Sequence, residues 1–507
     1  MKSVAIIGAG IGGLCTGIEL LLSGYEVSIY EKNNVAGGVL RTITSPDGAF
    51  RFEESASIPI NPKTYHRYFK RLGLNPNAYF CDKGLKNLYH VYFHDGKVLY
   101  VPHDIRAMRA AMQKDFAGDV RGWDNFMRAT MNKYKISREY FIGRPFMTIN
   151  SILNPELLCK LVELNPFTSA GHYVKRFIKS GALRDFILFQ AFFMGIAPDK
   201  LPNVYTMVYA NSQVEGISYI RGGLSQYTQV LAQIFEDNGG KLFFNSPVQR
   251  ILGKGSLVTG IRIGNQTVRS DIVVVNADYC YAQKELLGRK LHRYSKLSCS
   301  TFIVHLGLTR KYPELGVHNL FINKHFEEEV SGIFKGRLPQ HPSLYIYYPS
   351  SADDSCCDNP SHSVMNLMLR VPNLKELPIL WNETTKERLY TLCLRAVSSI
   401  KGLETIKEYI AYRSFTTPVH FKSRYNYRYG SCFGIGHTLF QSMALRPQLR
   451  DKIFKNLYYA GSSIHPGNGA SIVIEGAQMA SETIQRNHPI KRKAQTRIRG
   501  LSNSIQI

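Results

Sequence analysis

The hydrophobic pattern changes period several times along this chain, and each change marks an element. Val4-Ala5-Ile6-Ile7 is a short unbroken apolar run, so residues 2–7 predict a strand buried on both faces. Glycine then dominates from Gly8 to Gly13, which predicts a turn, and apolar residues return at helical spacing over Leu14–Ser23. Glu26–Tyr30 reads as a second strand and completes a β–α–β unit. From about 65 to 200 the chain reads as mostly helical and rich in aromatic residues. Residues 241–275 alternate like a meander of strands that ends in a buried valine run, and mixed strands and helices are expected from about 300 to 415. A helical run, Ile472–Ile484, follows a last glycine-rich stretch. Strand-to-helix glycine turns thus mark both ends, and with no repeats and no long linker the pieces are expected to interleave.

At 507 residues and 44% hydrophobic content the chain can bury a large core, in two or three sub-domains. Sixty-three Lys plus Arg against 38 Asp plus Glu give a net charge of +25. Such an excess serves an anionic partner surface or a solvated basic exterior. No zinc-finger spacing, RNA-binding aromatic signature or compact basic helix accompanies it, so nucleic acid is not expected as a partner and anionic lipid is the better candidate. Nine cysteines are scattered, and the one close pair, Cys356 and Cys357, has neither metal-ligand nor redox spacing; a reducing cytoplasm and no metal are expected. The apolar run Val4–Leu14 is half glycine and alanine, which reads as a first strand and turn, not a signal peptide. No segment offers the roughly twenty apolar residues of a spanning helix. The best, Phe186–Ala197, is bounded by Asp185 and Pro198, so any membrane contact is expected to be peripheral.

The first chemical motif is Gly8-Ala9-Gly10-Ile11-Gly12-Gly13, set between a strand and a helix and closed by Glu31 at the end of the next strand. This arrangement binds a dinucleotide. Gly8 permits the tight turn, Gly10 lets backbone approach the pyrophosphate, and Gly13 allows close helix–strand packing. The helix N-terminus offers free N–H groups to the phosphates, and Glu31 accepts from ribose hydroxyls. On this motif alone NAD and FAD are both open.

The continuation Glu31-Lys32-Asn33-Asn34-Val35-Ala36-Gly37-Gly38 places a glycine pair a short loop beyond the acid. In this it resembles flavoproteins of the amine-oxidase and carotenoid-desaturase type, which favours FAD. Their usual Arg directly after the pair is Val39 here, with Arg41 two places on. In mid-chain, Gly222-Gly223-Leu224 opens a helix, Asn238-Gly239-Gly240 ends it, and Asn245-Ser246-Pro247-Val248 leads into a strand. The segment resembles the family's second cofactor segment, in which the residue at Val248 gives backbone contacts to the adenine. The most specific stretch runs from Asn456 through Ala460-Gly461-Ser462-Ser463-Ile464-His465-Pro466-Gly467-Asn468-Gly469-Ala470-Ser471. It is similar to the signature of bacterial-type phytoene and diapophytoene desaturases, as are Gly434–Ser442, Arg446-Pro447, Tyr173–Gly223 and Val371-Pro372. Two departures stand out. The signature's usual Pro is Ser471, and the usual Phe-Asp-x-Gly-Pro-Thr is Phe52-Glu53-Glu54-Ser55-Ala56-Ser57.

The resemblance implies an α/β fold. A Rossmann-like FAD-binding domain would be assembled from residues 1–70, 216–290 and 426–485. A substrate domain would comprise a helical region, 71–215, that is a candidate membrane face, and a mixed sheet, 291–425, with 486–507 as a basic tail. It assigns the cofactor to Gly8, Ala9, Gly10, Gly12, Gly13, Glu31, Lys32, Gly37, Gly38, Arg41, Val248, Gly461, Ser462, Gly469, Ala470 and Ser471. A helix opening near Ala470 would direct its positive end at the anionic side of reduced flavin. The implied reaction is desaturation of a long apolar polyene such as phytoene or diapophytoene by hydride transfer to the flavin, with oxygen or a quinone as final acceptor. The cation left behind loses a proton easily, so no strong base is obligatory; His465 and Glu475 are candidates by their place near the signature. Same-fold alternatives are a polyene oxygenase, isomerase or saturase. Prenyl-lipid binding proteins of the Rab escort and GDP-dissociation type are the non-redox alternative. The aromatics Phe186, Phe189, Phe192, Phe193, Tyr205 and Tyr209 suit a hydrocarbon tunnel or ordinary core packing. The tail residues Arg486, Lys491, Arg492, Lys493, Arg497 and Arg499 suit peripheral attachment to the cytoplasmic face of an anionic bilayer.

Overall fold

The computed structural model describes residues 1–490 apart from 56–57, 147–153, 292–293 and 295. The tail residues Lys491, Arg492, Lys493, Arg497 and Arg499, and Ala56 and Ser57, lie outside the described residues. Two main sheets organise the chain. The first is parallel, with strands in the order Leu457–Tyr459, Ile272–Val275, Ser3–Ile7, Glu26–Tyr30 and Lys241–Phe243. Its register sets Val4 beside Ile272 and Val273 beside Leu457. All four residues of Ile272–Val275 are buried, as an interior parallel strand covered on both faces requires. The helix Ile11–Leu22 packs on this sheet against helices Gly223–Asp237 and Ala470–Asn487, with Leu14, Ile18, Leu231 and Ile474 in one core. The strands Val248–Lys254, Leu257–Ile263 and Gln266–Arg269 form the expected meander as a separate antiparallel sheet.

The helix after the first glycine turn starts at Ile11, three residues earlier than the apolar period indicated, so Gly12 and Gly13 belong to its first turn. A Cβ on Gly13 would lie 2.2 Å from the Gly8 carbonyl, so only glycine lets the helix begin this close to the strand.

The second sheet has seven strands in the order Ile410–Thr416, Ser300–Leu308, Ser363–Val371, Leu344–Tyr347, His318–Ile322, Asn87–Phe93 and Val98–Pro102. The last two correct the expectation of helix through this part of the chain. Tyr89, Val91, Tyr92 and Phe93 favour a pleated surface, and Asp95-Gly96 turns the hairpin. Strands Ser300–Leu308 and Ser363–Val371 are buried along their whole length, and their two faces have different partners. Phe302, Val304, Leu367 and Leu369 pack on helix Glu383–Ser398 through Leu389, Cys393 and Val397. Thr301, Ile303, Met368 and Arg370 point the other way, into a cavity shared with the first sheet. Helices between Ile105 and Glu215 close that cavity from the far side.

Candidate functional site

The cavity holds about 3000 Å³ of empty space, part of it open to solvent. Its polar end lies at the carboxyl edge of the parallel sheet, where ligands of open α/β sheets bind. Gly8, Gly10, Gly12, Glu31, Lys32, Gly37, Gly38 and Val248 line it from the N-terminal and middle segments, and Gly461, Ser462, Gly469, Ala470 and Ser471 from the C-terminal one. Two helices open into it, Ile11–Leu22 behind Gly10 and Ala470–Asn487 behind Gly469, and neither has a side-chain cap. Both therefore present free backbone N–H groups and the positive end of a helix dipole to whatever fills the space.

Glu31 is held in place by backbone: its Oε2 accepts from Ala9 N–H at 2.9 Å and its Oε1 from Asn33 N–H at 2.8 Å. Lys32 donates to the Ser423 carbonyl at 2.6 Å and to Asn426 Oδ1 at 2.9 Å, and burial lowers its ammonium pKa. Ala9 and Gly13 stand behind the lining as packing positions. Arg41 does not line the cavity; it lies 3.3 Å from the buried Glu54 carboxylate, which also takes a hydrogen bond from Tyr425. Glu53 accepts from Leu224 N–H at 2.7 Å and Tyr347 Oη at 2.5 Å, so the two acids of the departed Phe52–Ser57 segment serve internal contacts.

Motif reading assigned no role to three residues that shape this end. Asn276 caps the valine strand, donates to the Gly8 carbonyl at 3.2 Å, and stands within 2.6 Å of where a Gly12 Cβ would be. Its place at the carboxyl edge of a buried parallel strand was the available signal. Asp278 lines the cavity and accepts from Tyr281 N–H at 2.9 Å and Ser463 Oγ at 3.3 Å; burial raises its carboxyl to about 6. Arg446 is 1% exposed and donates to the carbonyls of Ile464 at 3.0 Å, Ser462 at 3.0 Å, Ile435 at 3.1 Å and Gln441 at 3.4 Å. It thus pins the Gly461–Pro466 loop to the Gly434–Ser442 segment, and burial pulls its guanidinium down to about 10.

Two buried imidazoles face the cavity. Tyr205 Oη donates to Ser442 Oγ at 2.9 Å, so the 2.9 Å contact from His437 to Tyr205 places the proton on His437 Nδ1. Its Nε2 makes no hydrogen bond of ordinary geometry and has the Asn468 carboxamide beside it. His465 Nε2 donates to the Arg144 carbonyl at 3.0 Å and leaves its Nδ1 bare. Burial holds His465 down to about 4 and His437 well below the usual imidazole range, so both are neutral near pH 7. Glu475 lies outside the lining, in an ion pair with Arg138 at 2.6 Å.

Beyond the imidazoles the cavity is apolar, lined by Phe193, Met194, Val204, Ile303, Tyr345 and Met368. Of the aromatics singled out in the sequence, Phe193 and Tyr205 reach it. Phe186, Phe189, Phe192 and Tyr209 are core packing.

A dinucleotide flavin fits these donors. The glycine turns leave room for backbone to approach a pyrophosphate, Glu31 keeps acceptor capacity for hydroxyls, and the second uncapped helix end suits an anionic ring edge.

Comparison with known proteins agrees. Residues 11–483 match the family model described as flavin containing amine oxidoreductase. The chain is similar to 4,4'-diapophytoene desaturase (4,4'-diaponeurosporene-forming) of Staphylococcus haemolyticus, 30% identical over 494 residues that cover 95% of this chain and 98% of that one. The protein of the same name from Staphylococcus aureus (strain COL) is 29% identical over 491 residues, 94% and 97% of the two chains. Among solved structures, cyclohexylamine oxidase from Brevibacterium oxydans superimposes with a TM-score of 0.61 at 15% identity, covering 96% of this chain and 99% of that one. Wild-type putrescine oxidase bound to putrescine does so with a TM-score of 0.62 at 13% identity, covering 96% and 98%. The chain, an FAD-dependent oxidoreductase, belongs to the flavin-containing amine oxidoreductase family.

Proposed function

We propose that the protein is an FAD-dependent desaturase that introduces double bonds into a linear polyene isoprenoid. The observation that carries this reading is a continuous cavity, which runs from the two glycine turns to an apolar compartment between the seven-stranded sheet and the helices. Similarity to diapophytoene desaturases over 95% of the chain supports the same substrate class. The bound flavin supplies the two-electron acceptor for the reaction. The protein's part is to hold and orient. The uncapped helices and Asn276 secure the polar end, Arg446 keeps the Gly461–Pro466 loop in place, and the apolar lining excludes water around the polyene. Loss of a proton from the substrate requires an acceptor, and the bare nitrogens of His437 and His465 are the neutral bases nearest to hand.

Residues 1–70, 216–290 and 426–485 act as the flavin-binding unit, and 71–215 and 291–425 as the substrate unit. The strands of the parallel sheet come from the first set and those of the seven-stranded sheet from the second, which supports this division. The protein works against a membrane surface as a peripheral partner. No helix among the described residues is long and apolar enough to cross a membrane. Leu158, Val162 and Phe167 are 45%, 78% and 77% exposed, on and just after the helix Pro155–Leu164. That helix lies beside Tyr140, and the adjoining Phe141 and Ile142 line the cavity, so an apolar patch stands next to a wall of the substrate compartment.

Expression in a host that makes diapophytoene or phytoene, with mass analysis of the pigments, tests the reading. Desaturation removes one pair of hydrogens per new double bond. Gain of oxygen, or unchanged mass with altered geometry, would overturn it in favour of an oxygenase or isomerase.

A further inference from the structure

Arg370 is a charged residue in the apolar part of the cavity. It sits in the strand Ser363–Val371, directly opposite Thr301 in the register, and on the same face as Met368. The residue is 8% exposed and lines the cavity. Its Nη1 donates to Thr301 Oγ1 at 2.5 Å, its guanidinium lies 4.7 Å from the centre of the Phe433 ring, and the Cys432 thiol, with Cys299 and Tyr345 further off, is a polar neighbour. No carboxylate among the described residues stands within ion-pair distance of it. The side chains around it are those of a hydrocarbon site: Ile303, Tyr345, Met368 and Phe433.

A guanidinium presents five N–H donors in a rigid fork that matches a carboxylate. One hydroxyl, one thiol and one ring face leave most of that capacity unused. Burying such a charge without an anion is costly, and a hydrocarbon entering the cavity would displace the water that could otherwise solvate it. A wholly apolar ligand would therefore be penalised here. A ligand ending in an anionic oxygen group would be favoured.

We propose that Arg370, backed by Thr301, binds a terminal carboxylate, so that among linear polyenes of one length this protein also accepts, and binds more tightly, a chain oxidised to the acid at one end. The proposal rests on the reading of the cavity as a polyene site and adds the end group that the cavity favours. Arg370 is then a specificity-determining residue, one that selects among chains of equal length by their termini. The Phe433 ring packs against the guanidinium and Thr301 engages Nη1, which leaves further N–H donors of the fork for hydrogen bonds to a carboxylate.

Titration of the purified flavoprotein tests this, with perturbation of the flavin absorbance as the readout. Three probes of one chain length are compared: a linear polyene hydrocarbon, the same chain ending in a carboxylic acid, and the methyl ester of that acid. The wild-type protein is expected to bind the acid about ten- to a hundredfold more tightly than the other two, the range of a charge-assisted hydrogen bond pair. Arg370→Met should bind all three alike, and Arg370→Lys should keep part of the preference. Equal affinities in the wild-type protein would overturn the proposal whether or not the variants fold, and so would a preference for the acid that survives in Arg370→Met. Tight binding of hydrocarbon and ester with no gain for the acid would leave the polyene reading standing and remove only the role of Arg370. If none of the three probes perturbs the flavin, both fall together.

Discussion

Gly12 and Gly461, 449 positions apart in the chain, touch: a Cβ built on Gly12 would lie 2.9 Å from the Gly461 backbone nitrogen and 2.6 Å from Asn276 Oδ1. Backbone cannot retreat from such a contact as a flexible side chain can. Gly461 also has φ +97°, a conformation that other residues seldom adopt. Gly12→Val and Gly461→Val should each separate the first helix from the last glycine turn and abolish flavin retention. The check is the ratio of flavin to protein absorbance after purification. A fully yellow Gly461→Val protein would show that this junction does not shape the cofactor site.

Arg446 governs the same loop from behind. Four carbonyls from Ile435, Gln441, Ser462 and Ile464 converge on one buried guanidinium, and hydrogen bonds to a charged group contribute about 1.5–3 kcal/mol each. Arg446→Met keeps the volume of the stem and leaves those acceptors unpaired. The expected loss is about 3 kcal/mol or more of stability, with Arg446→Lys recovering only part because an ammonium lacks the planar fork. Urea unfolding followed by tryptophan and flavin fluorescence measures both effects.

The glycine-lined end of the cavity was legible in the sequence because it is built from local motifs. Gly8–Gly13 and Gly461–Ser471 are each a turn between a strand and a helix, and residues of both line the cavity. What stayed hidden depends on long-range pairing. Arg446 has meaning only once residues 435, 441, 462 and 464 meet. Arg370 reads as one cation in an apolar strand until the register sets it opposite Thr301 and shows which face points inward. The hairpin Asn87–Pro102 is hidden for a different reason: it lies inside a long stretch of mostly helical, aromatic-rich sequence, and the short Asp95-Gly96 turn is its one local signal.

Buried titratable groups of opposite behaviour give the protein a pH dependence whose sign can be worked out group by group. Burial lowers His305 to about 4, and its hydrogen bonds to Asn366 and Thr416 suit the neutral ring. Its contribution is complete above about pH 6.5 and is lost as pH falls through about 4, an effect of about 3 kcal/mol. Asp278, raised to about 6 by burial, contributes in the opposite sense: present below about pH 4, lost as pH rises through about 6. His305→Gln should therefore flatten the acid limb of stability. Asp278→Asn should gain stability at about pH 7.5 relative to about pH 5. Urea midpoints at the two pH values decide; parallel shifts at both would refute the assignment.

Membrane contact through the patch at Leu158, Val162 and Phe167 should show two separable components. Vesicle sedimentation ought to weaken with added salt where the vesicles contain anionic lipid, since a +25 chain is attracted electrostatically. Val162→Ser with Phe167→Ser should weaken binding to neutral vesicles as well, in proportion to the apolar area removed. Binding unaffected by both salt and substitution would place the contact elsewhere.

The proton inventory around His437 yields the last prediction. Tyr205 gives its one proton to Ser442 and so must accept from His437 Nδ1, which leaves Nε2 as the lone-pair nitrogen at the cavity wall, beside the Asn468 carboxamide. In Tyr205→Phe the Nδ1 proton has no acceptor, and the ring gains by moving it to Nε2, which then has no lone pair to offer a departing proton. Turnover should fall by about ten- to a hundredfold with substrate affinity and flavin content little changed, the size of effect expected for a positioned proton acceptor. His437→Gln should cost about the same, and the double variant no more than either single one, because both act on one nitrogen. Additive losses would show that Tyr205 works through packing, and full turnover in His437→Gln would pass the proton to His465 Nδ1.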